Sequence, residues 1–172
     1  LQIAHLQQRL GHLRQPLRLL AQKREEFRRL RPHIGMLRGK QLQLAPMVEE
    51  IFTDLASLAE KRSITLEAEG DAALTGSDAL IYRMLFNLTE NAVKYNRLGG
   101  SVRVELAQGQ EKCIIRVSDT GCGIPEEYQR SIFHPFFRVD KSRSREYGGA
   151  GLGLSLVWET AVSYTHLTLP TK

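Results

Sequence analysis

The chain has few cysteines and no long hydrophobic run. Its two cysteines, Cys113 and Cys122, are not spaced as metal ligands are, and both fit a reducing compartment. No apolar stretch approaches the roughly 20 residues of a membrane span, and Leu1 does not open a signal peptide. The first residue is also not methionine, which suggests a fragment of a longer protein. We therefore expect a cytoplasmic location, with any membrane attachment made by parts outside this fragment.

The composition is that of an ordinary globular protein with a basic excess. Of its 172 residues, 42% are hydrophobic and 25% are charged, and the length suits one domain plus an appended segment. The formal net charge is +5, and much of the excess lies in residues 23–31. A basic cluster can bind nucleic acid or an acidic membrane, but it is more often the solvated side of a helix. We therefore expect no nucleic-acid partner.

The N-terminal segment predicts a helix that packs against another helix. Apolar residues between Ile3 and Phe27 follow the 3–4 alternation of a heptad, with interruptions at Gly11 and Pro16. We assign residues 1–38 to this helical segment, which is suited to dimerisation.

The middle of the chain predicts helices alternating with strands. A helix with Pro46 in its first turn is followed by a strand at 64–68, a turn at Gly70-Asp71 and a short strand at 73–75. Ser77 or Asp78 can cap the next helix. Alternating apolar residues at 102–106 and 113–117 then predict a β-hairpin that ends at Asp119.

The helix after Asp78 has two different faces. One is an apolar stripe with helical spacing, formed by Ile81, Leu85, Leu88 and Ala92. The other carries two amides, a carboxylate, an ammonium and a phenol, from Asn87, Glu90, Asn91, Lys94 and Tyr95. Asparagine is a poor helix former, whereas amide oxygens suit Mg²⁺ and lysine suits a phosphate. This helix alone leaves two interpretations open, a binding face or a polar surface with chance asparagines.

Four stretches in this order, at residues 87–95, 119–125, 133–138 and 148–154, resemble the N, G1, F and G2 boxes of sensor histidine kinases. The resemblance covers roughly residues 44–158. It implies the Bergerat ATP-binding fold, an α/β two-layer sandwich whose mixed sheet carries helices on one face. It further implies a catalytic domain at 44–160 that passes the γ-phosphate of ATP to a histidine, for relay to an aspartate of a response regulator. The full-length protein would be a homodimer anchored in a bacterial membrane.

The resemblance and the chemistry of the side chains together give roles to the candidate site residues. Asp119 accepts a hydrogen bond from the adenine amino group, and Asn91 is the Mg²⁺ ligand with Asn87 in support. Lys94 and Arg138 neutralise charge on the transferred phosphoryl group. The remaining nucleotide contacts come from a flanking tyrosine and the two glycine-rich turns, at Tyr95, Gly121, Gly123, Gly149, Gly151, Leu152 and Gly153.

The residue types favour phosphate transfer to a side chain over hydrolysis. ATP-hydrolysing relatives of this fold carry a glutamate that activates water, where this chain has Asn87. An amide cannot accept that proton. Glu90 is then either a general base for the acceptor histidine or a partner for Lys94, and the sequence leaves both open.

Two features depart from the family pattern. His12 lies in a stretch that is similar to the phosphoacceptor motif but is one residue short. The number of residues between His12 and the catalytic domain is too small for two full dimerisation helices. Residues 163–172 do not resemble the last two strands, so we predict a foreign tail and an incomplete sheet.

The long polar stretch from Pro125 to Gly153 predicts a functional lid. An ATP-binding interaction module that transfers no phosphate is the alternative function.

Overall fold

The computed structural model describes residues 40–110, 113–139 and 151–163. The elements in chain order are β1 (Lys40–Gln43), α1 (Leu44–Glu60), β2 (Thr65–Asp71), β3 (Ala73–Gly76), α2 (Asp78–Lys94), β4 (Ser101–Gln108), β5 (Cys113–Asp119) and α3 (Gly153–Ser163), with 3-10 turns at Glu126–Tyr128 and Ser131–Phe133. The predicted helical segment 1–38 with His12, residues 140–150 of the predicted lid and the tail from 164 lie outside these residues. Within the described ranges, no helix is long and apolar enough to cross a membrane.

The main sheet has three strands in the order β2-β4-β5. Strand β2 runs parallel to β4, and β4 pairs antiparallel with β5, so the sheet is mixed as expected. One face of β4 is fully buried through Val102, Val104 and Leu106. The opposite face is charged, with Arg103 paired to Glu67 of β2 at 2.8 Å. This one-sided burial confirms the predicted two-layer α/β architecture, with helices on one face.

Helices α1 and α2 form the second layer against the buried face of the sheet. The α1 stripe is buried at Val48, Ile51 and Leu55 as its spacing predicts. On α2 the predicted stripe is correct except at Leu88, which is only half-buried, whereas Thr89 is 1% exposed. Residues 81, 85, 89 and 92 follow one line along the helix, so position 88 lies on its flank. The Thr89 hydroxyl donates to the carbonyl oxygen of Leu85 at 2.9 Å, which satisfies a buried polar group.

Two local predictions are wrong. Gly70 and Asp71 are the last residues of β2 rather than a turn, because the Asp71 carboxylate accepts from the backbone N–H of Ala72 at 2.7 Å and turns the chain one residue later. Ser77 occupies the N-cap position of α2, but it makes no side-chain capping bond.

The sequence also missed β1, which pairs antiparallel with β3 in a separate two-stranded sheet. Of its four residues only Leu42 is buried, so no alternating pattern marks it as a strand. The stretch from Pro125 is likewise more regular than predicted, since it contains two 3-10 turns before residue 134.

Candidate nucleotide-binding site

The polar face of α2 lies opposite the first residue of α3. The side-chain Nδ2 of Asn87 donates to the carbonyl oxygen of Arg83 at 2.7 Å, which fixes the amide and leaves Oδ1 pointing away from that bond. A methyl group on Gly153 would lie 3.1 Å from this Oδ1 and 3.7 Å from Nδ2 of Asn91. The structure therefore brings the two predicted amides and the G2 glycine together, and the missing side chain of Gly153 keeps the space between them open.

Glu90 and Lys94 form an ion pair one helical turn apart. The Lys94 Nζ lies 2.8 Å from Glu90 Oε1, and both side chains are largely covered, with 21% and 27% of their surface exposed. This contact is the partner arrangement that the sequence left as one of two possibilities. A role for Glu90 as general base would require its carboxylate to leave the ammonium.

The end of β5 contacts the C-terminal end of α2. Asp119 is exposed there, and its Oδ1 accepts from the Gly121 backbone N–H at 2.8 Å, which forms a tight turn. A methyl group on Gly121 would lie 2.5 Å from the Tyr95 carbonyl oxygen, so only glycine permits this approach. The Cys122 thiol also donates to that oxygen at 3.7 Å. Tyr95, Asp119 and Gly121 are thus neighbours, as the family resemblance implies.

Aromatic residues hold the segment after β5 together, and one of them packs it against α3. Phe133 packs on Trp158 with ring centroids 5.3 Å apart, and Phe137 packs on Tyr128 at 5.7 Å. Phe136 packs less closely, because 37% of it is exposed. It contributes through its backbone N–H, which donates to the Gly151 carbonyl oxygen at 2.9 Å.

The remaining predicted residues have varied positions. Leu152 is 6% exposed, so its side chain belongs to the core. The backbone carbonyl oxygen of Leu152 accepts from the Ser155 hydroxyl at 2.9 Å. Gly123 and Gly151 adopt positive φ angles of 67° and 68°. Arg138 is half-buried after the second 3-10 turn. Gly149 lies outside the described residues.

Two residues beside the predicted ones were not identified from the sequence. Asn96 directly follows Tyr95 and is 5% exposed, and Thr120 directly follows Asp119. Their hydroxyl and amide groups bond to each other across 24 positions of sequence. The available signal was a second polar residue adjoining each motif, but their mutual contact depends on the fold.

The fold and the site together define an ATP-binding α/β domain, with amides, a carboxylate and glycine-rich turns converging beside one helix. The chain belongs to the family described as Histidine kinase-, DNA gyrase B-, and HSP90-like ATPase, whose model matches residues 76–169. Within this family it is an ATP-binding domain of the histidine kinase type.

Known proteins similar to this chain include several sensor kinases. It is 35% identical over 124 residues to the sensor histidine kinase RppB of Synechocystis sp.. The aligned region covers 70% of this chain and 27% of RppB. The solved structure of the mycobacterial sensor histidine kinase MprB matches with a TM-score of 0.61 and 25% identity, over 74% of this chain and 80% of that one. The histidine kinase ThkA, solved in complex with the response regulator protein TrrA, shares the fold with a TM-score of 0.53, 23% identity and coverage of 58% and 31%. The chain spans about a quarter of the length of the curated relatives it matches.

Proposed function

We propose that this chain binds ATP with Mg²⁺ between α2, the end of β5 and the start of α3, and transfers the γ-phosphate to a histidine. The observation that carries this proposal is that two separate glycine turns contact helix α2, one near its middle and one at its C-terminal end. Gly153 lies opposite Asn87 and Asn91, while Gly121 holds Asp119 against the carbonyl oxygen of Tyr95 at the C-terminal end of α2. The two regions suit the phosphate and adenine ends of one ligand.

Each side chain takes a role that its chemistry allows. Asp119 accepts a hydrogen bond from the adenine amino group, and the backbone of Gly121 lies against the ring. Lys94 supplies positive charge beside the phosphates, held in place by its ion pair with Glu90. Backbone N–H groups at the start of α3 point toward the phosphates, and the helix dipole favours their negative charge.

The donor set fits a magnesium ion. The Oδ1 atom of Asn87 borders the open space beside Gly153, and Asn91 lies one turn further along the same face. Amide oxygens are hard ligands of the kind Mg²⁺ accepts alongside phosphate oxygens and water. Asn91 would hold the ion with Asn87 in support, and the ion would neutralise charge on the phosphates when bound.

The same residues favour transfer over hydrolysis. The side chain of Asn87 has no basic atom with which to activate water, and its Nδ2 is committed to the Arg83 carbonyl oxygen. Glu90, the nearby carboxylate on this helix, is bonded to Lys94. A histidine imidazole presented in line with the γ-phosphate needs only positioning and charge neutralisation from the site.

The family to which the chain belongs supports an acceptor and an onward partner for the phosphate. We infer that the γ-phosphate goes to a histidine on a dimerisation domain and then to an aspartate of a response regulator. The stretch around His12 is similar to the motif of that acceptor but is one residue short. The similar kinase ThkA was solved with such a regulator, which supports this partner. A homodimeric, membrane-anchored sensor with this domain in the cytoplasm is the arrangement that suits the assignment, with domain limits near residues 44 and 160.

Incubation with γ-labelled ATP tests the transfer. The chain is expected to bind Mg-ATP but to label itself poorly, and to label an added dimerisation domain of a related sensor kinase with an acid-labile, base-stable phosphate. Asn91→Ala should abolish that label, because it removes the metal ligand. Thr53→Ala, on the exposed side of α1, is the control that should label as the wild type does.

Two outcomes would change the assignment. Strong labelling of the chain itself that disappears in His12→Gln would identify His12 as a working acceptor. Tight ATP binding with no label on either protein would instead favour an interaction module that transfers no phosphate.

A further inference from the structure

A hydrogen-bond network joins the C-terminal end of α2 to the end of β5. Asn96 lies two residues beyond α2, and Thr120 follows the last residue of β5. The Thr120 hydroxyl donates to Oδ1 of Asn96 at 3.0 Å, and that same Oδ1 accepts from the Arg97 backbone N–H at 2.9 Å. Asn96 exposes only 5% of its surface, so its amide depends on these protein partners.

The network closes through the first residue of β4. Nδ2 of Asn96 donates to the Ser101 carbonyl oxygen at 2.9 Å, and the Ser101 backbone N–H donates to the Thr120 hydroxyl oxygen at 2.9 Å. The backbone N–H of Thr120 returns to the Ser101 carbonyl oxygen at 3.2 Å. Because the Thr120 hydroxyl both donates and accepts, its orientation is fixed. The end of α2, the start of β4 and the end of β5 are therefore held as one unit.

The surrounding packing leaves this unit little room to shift. A methyl group on Gly100 would lie 2.5 Å from the Thr120 hydroxyl oxygen, and one on Gly121 would lie 3.2 Å from the Asn96 Cα. Nη2 of Arg62, from the connection after α1, donates to the Asn96 carbonyl oxygen at 2.6 Å. Close packing of this kind transmits a small displacement instead of absorbing it.

We propose that Asn96 and Thr120 are positioning residues that set the distance between the adenine carboxylate Asp119 and the amides of α2. This inference rests on the proposed function, since it takes adenine to lie at Asp119 and the phosphates at Asn91. ATP spans both ends, whereas adenosine lacks the phosphates and engages only the β5 end. Loss of the Thr120 bond therefore weakens ATP binding selectively, because a triphosphate requires both ends in register.

Thr120→Val tests this, since it removes the hydroxyl while keeping the shape. Calorimetry on the whole chain measures the Kd of Mg-ATP and of adenosine. The Mg-ATP Kd is expected to rise about tenfold, which corresponds to about 1.4 kcal/mol, while the adenosine Kd changes less than about twofold. Thr120→Ser retains the hydroxyl and should restore Mg-ATP binding. Thr120→Ala removes the same hydroxyl with less bulk and should repeat the selective loss.

Thr160→Val is the matched control, because its buried hydroxyl bonds within its own helix, to the Leu156 carbonyl oxygen at 2.8 Å. It should bind both probes as the wild type does. Equal losses of Mg-ATP and adenosine in Thr120→Val would overturn the inference, since Thr120 would then support only the adenine pocket. Unchanged Mg-ATP binding would overturn it as well. A wild-type chain that binds neither probe would instead overturn the proposed function, and the inference with it.

Discussion

Asp119 illustrates how one side chain can combine a structural and a binding role. Its Oδ1 is used by the turn to Gly121, and its exposed position at the end of β5 leaves the carboxylate accessible to a ligand. A carboxylate forms charge-assisted bonds about twice as strong as neutral ones. The residue should therefore matter more for affinity than for folding.

Asp119→Asn is expected to weaken ATP binding by roughly tenfold or more, because about 1–3 kcal/mol of charge-assisted bonding is lost. A fluorescent ATP analogue measures the change. Asp71→Asn is the control, since that carboxylate also turns the chain at a strand end, where it accepts from the Ala72 N–H. Unchanged affinity in a folded Asp119→Asn protein would remove Asp119 from the adenine site.

Tyr82 links α2 to α1 through a hydrogen bond from its hydroxyl to Asp54. Burial, followed by that bond and the charges of Asp54 and Glu50, raises the pKa of Tyr82 from 10.0 to about 12. The folded protein therefore favours the protonated phenol. The resulting stability is complete below pH 10 and is lost as the pH rises from 10 through 12.

Urea unfolding at pH 9 to 12 measures this dependence. The wild-type free energy of unfolding should decline across the interval, and Tyr82→Phe should lose the part of that decline that belongs to the phenol. Asp54→Asn should reduce it, because the acceptor charge disappears. Identical pH profiles for wild type and Tyr82→Phe would contradict the raised pKa.

The start of α3 and the polar face of α2 act as a pair of elements. Their separation depends on Gly153, the first residue of α3, which places no side chain beside Asn87. A helix that begins against two amides presents unpaired N–H groups to the same space. The proposed phosphate end of the site is thus made by two elements.

Gly153→Ala should separate stability from binding. Alanine favours a helix over glycine by about 0.4–1 kcal/mol, so the free energy of unfolding should not fall. The added methyl, 3.1 Å from Asn87 Oδ1, occupies the space proposed for the phosphates and should raise the Mg-ATP Kd by roughly tenfold, which is about 1.4 kcal/mol. Gly109→Ala in the β4–β5 hairpin, at the far end of the strands, is the control. Full Mg-ATP affinity in Gly153→Ala would place the phosphates elsewhere.

For the catalytic domain as a whole, nucleotide binding and folding should be linked. The site draws on α2, β5 and α3, so its geometry exists only in the folded state. A ligand that binds only the folded state stabilises it by about 2.7 kcal/mol at a concentration 100 times its Kd.

Thermal unfolding with increasing Mg-ATP should show a Tm that rises by roughly 5–11 °C at such concentrations. Asp119→Asn at the same ligand concentration should show a smaller rise, because its Kd is higher. A wild-type Tm that does not respond to Mg-ATP would contradict binding to the folded domain.

The sequence by itself determined most of the elements and predicted the residues of the proposed site. Helical spacing located α2 and both of its faces, alternation located the β4–β5 hairpin, and the glycine-rich turns marked Gly121 and Gly153, because these signals are local along the chain. Strand β1 escaped because four residues with one buried side chain carry no period. The sequence left Glu90 as either a general base or a partner of Lys94, and the structure shows the ion pair at 2.8 Å.

Only the tertiary structure decided which residues meet. The approach of Gly121 to the Tyr95 carbonyl oxygen joins parts of the chain that local patterns treat separately. The bond from Thr120 to Asn96 does the same across 24 positions. Local propensities set the conformation of each segment, but such pairings are fixed by burial of one sheet face against two helices. The residue types therefore predict the chemistry of the proposed site, whereas its geometry follows from the packing of the whole domain.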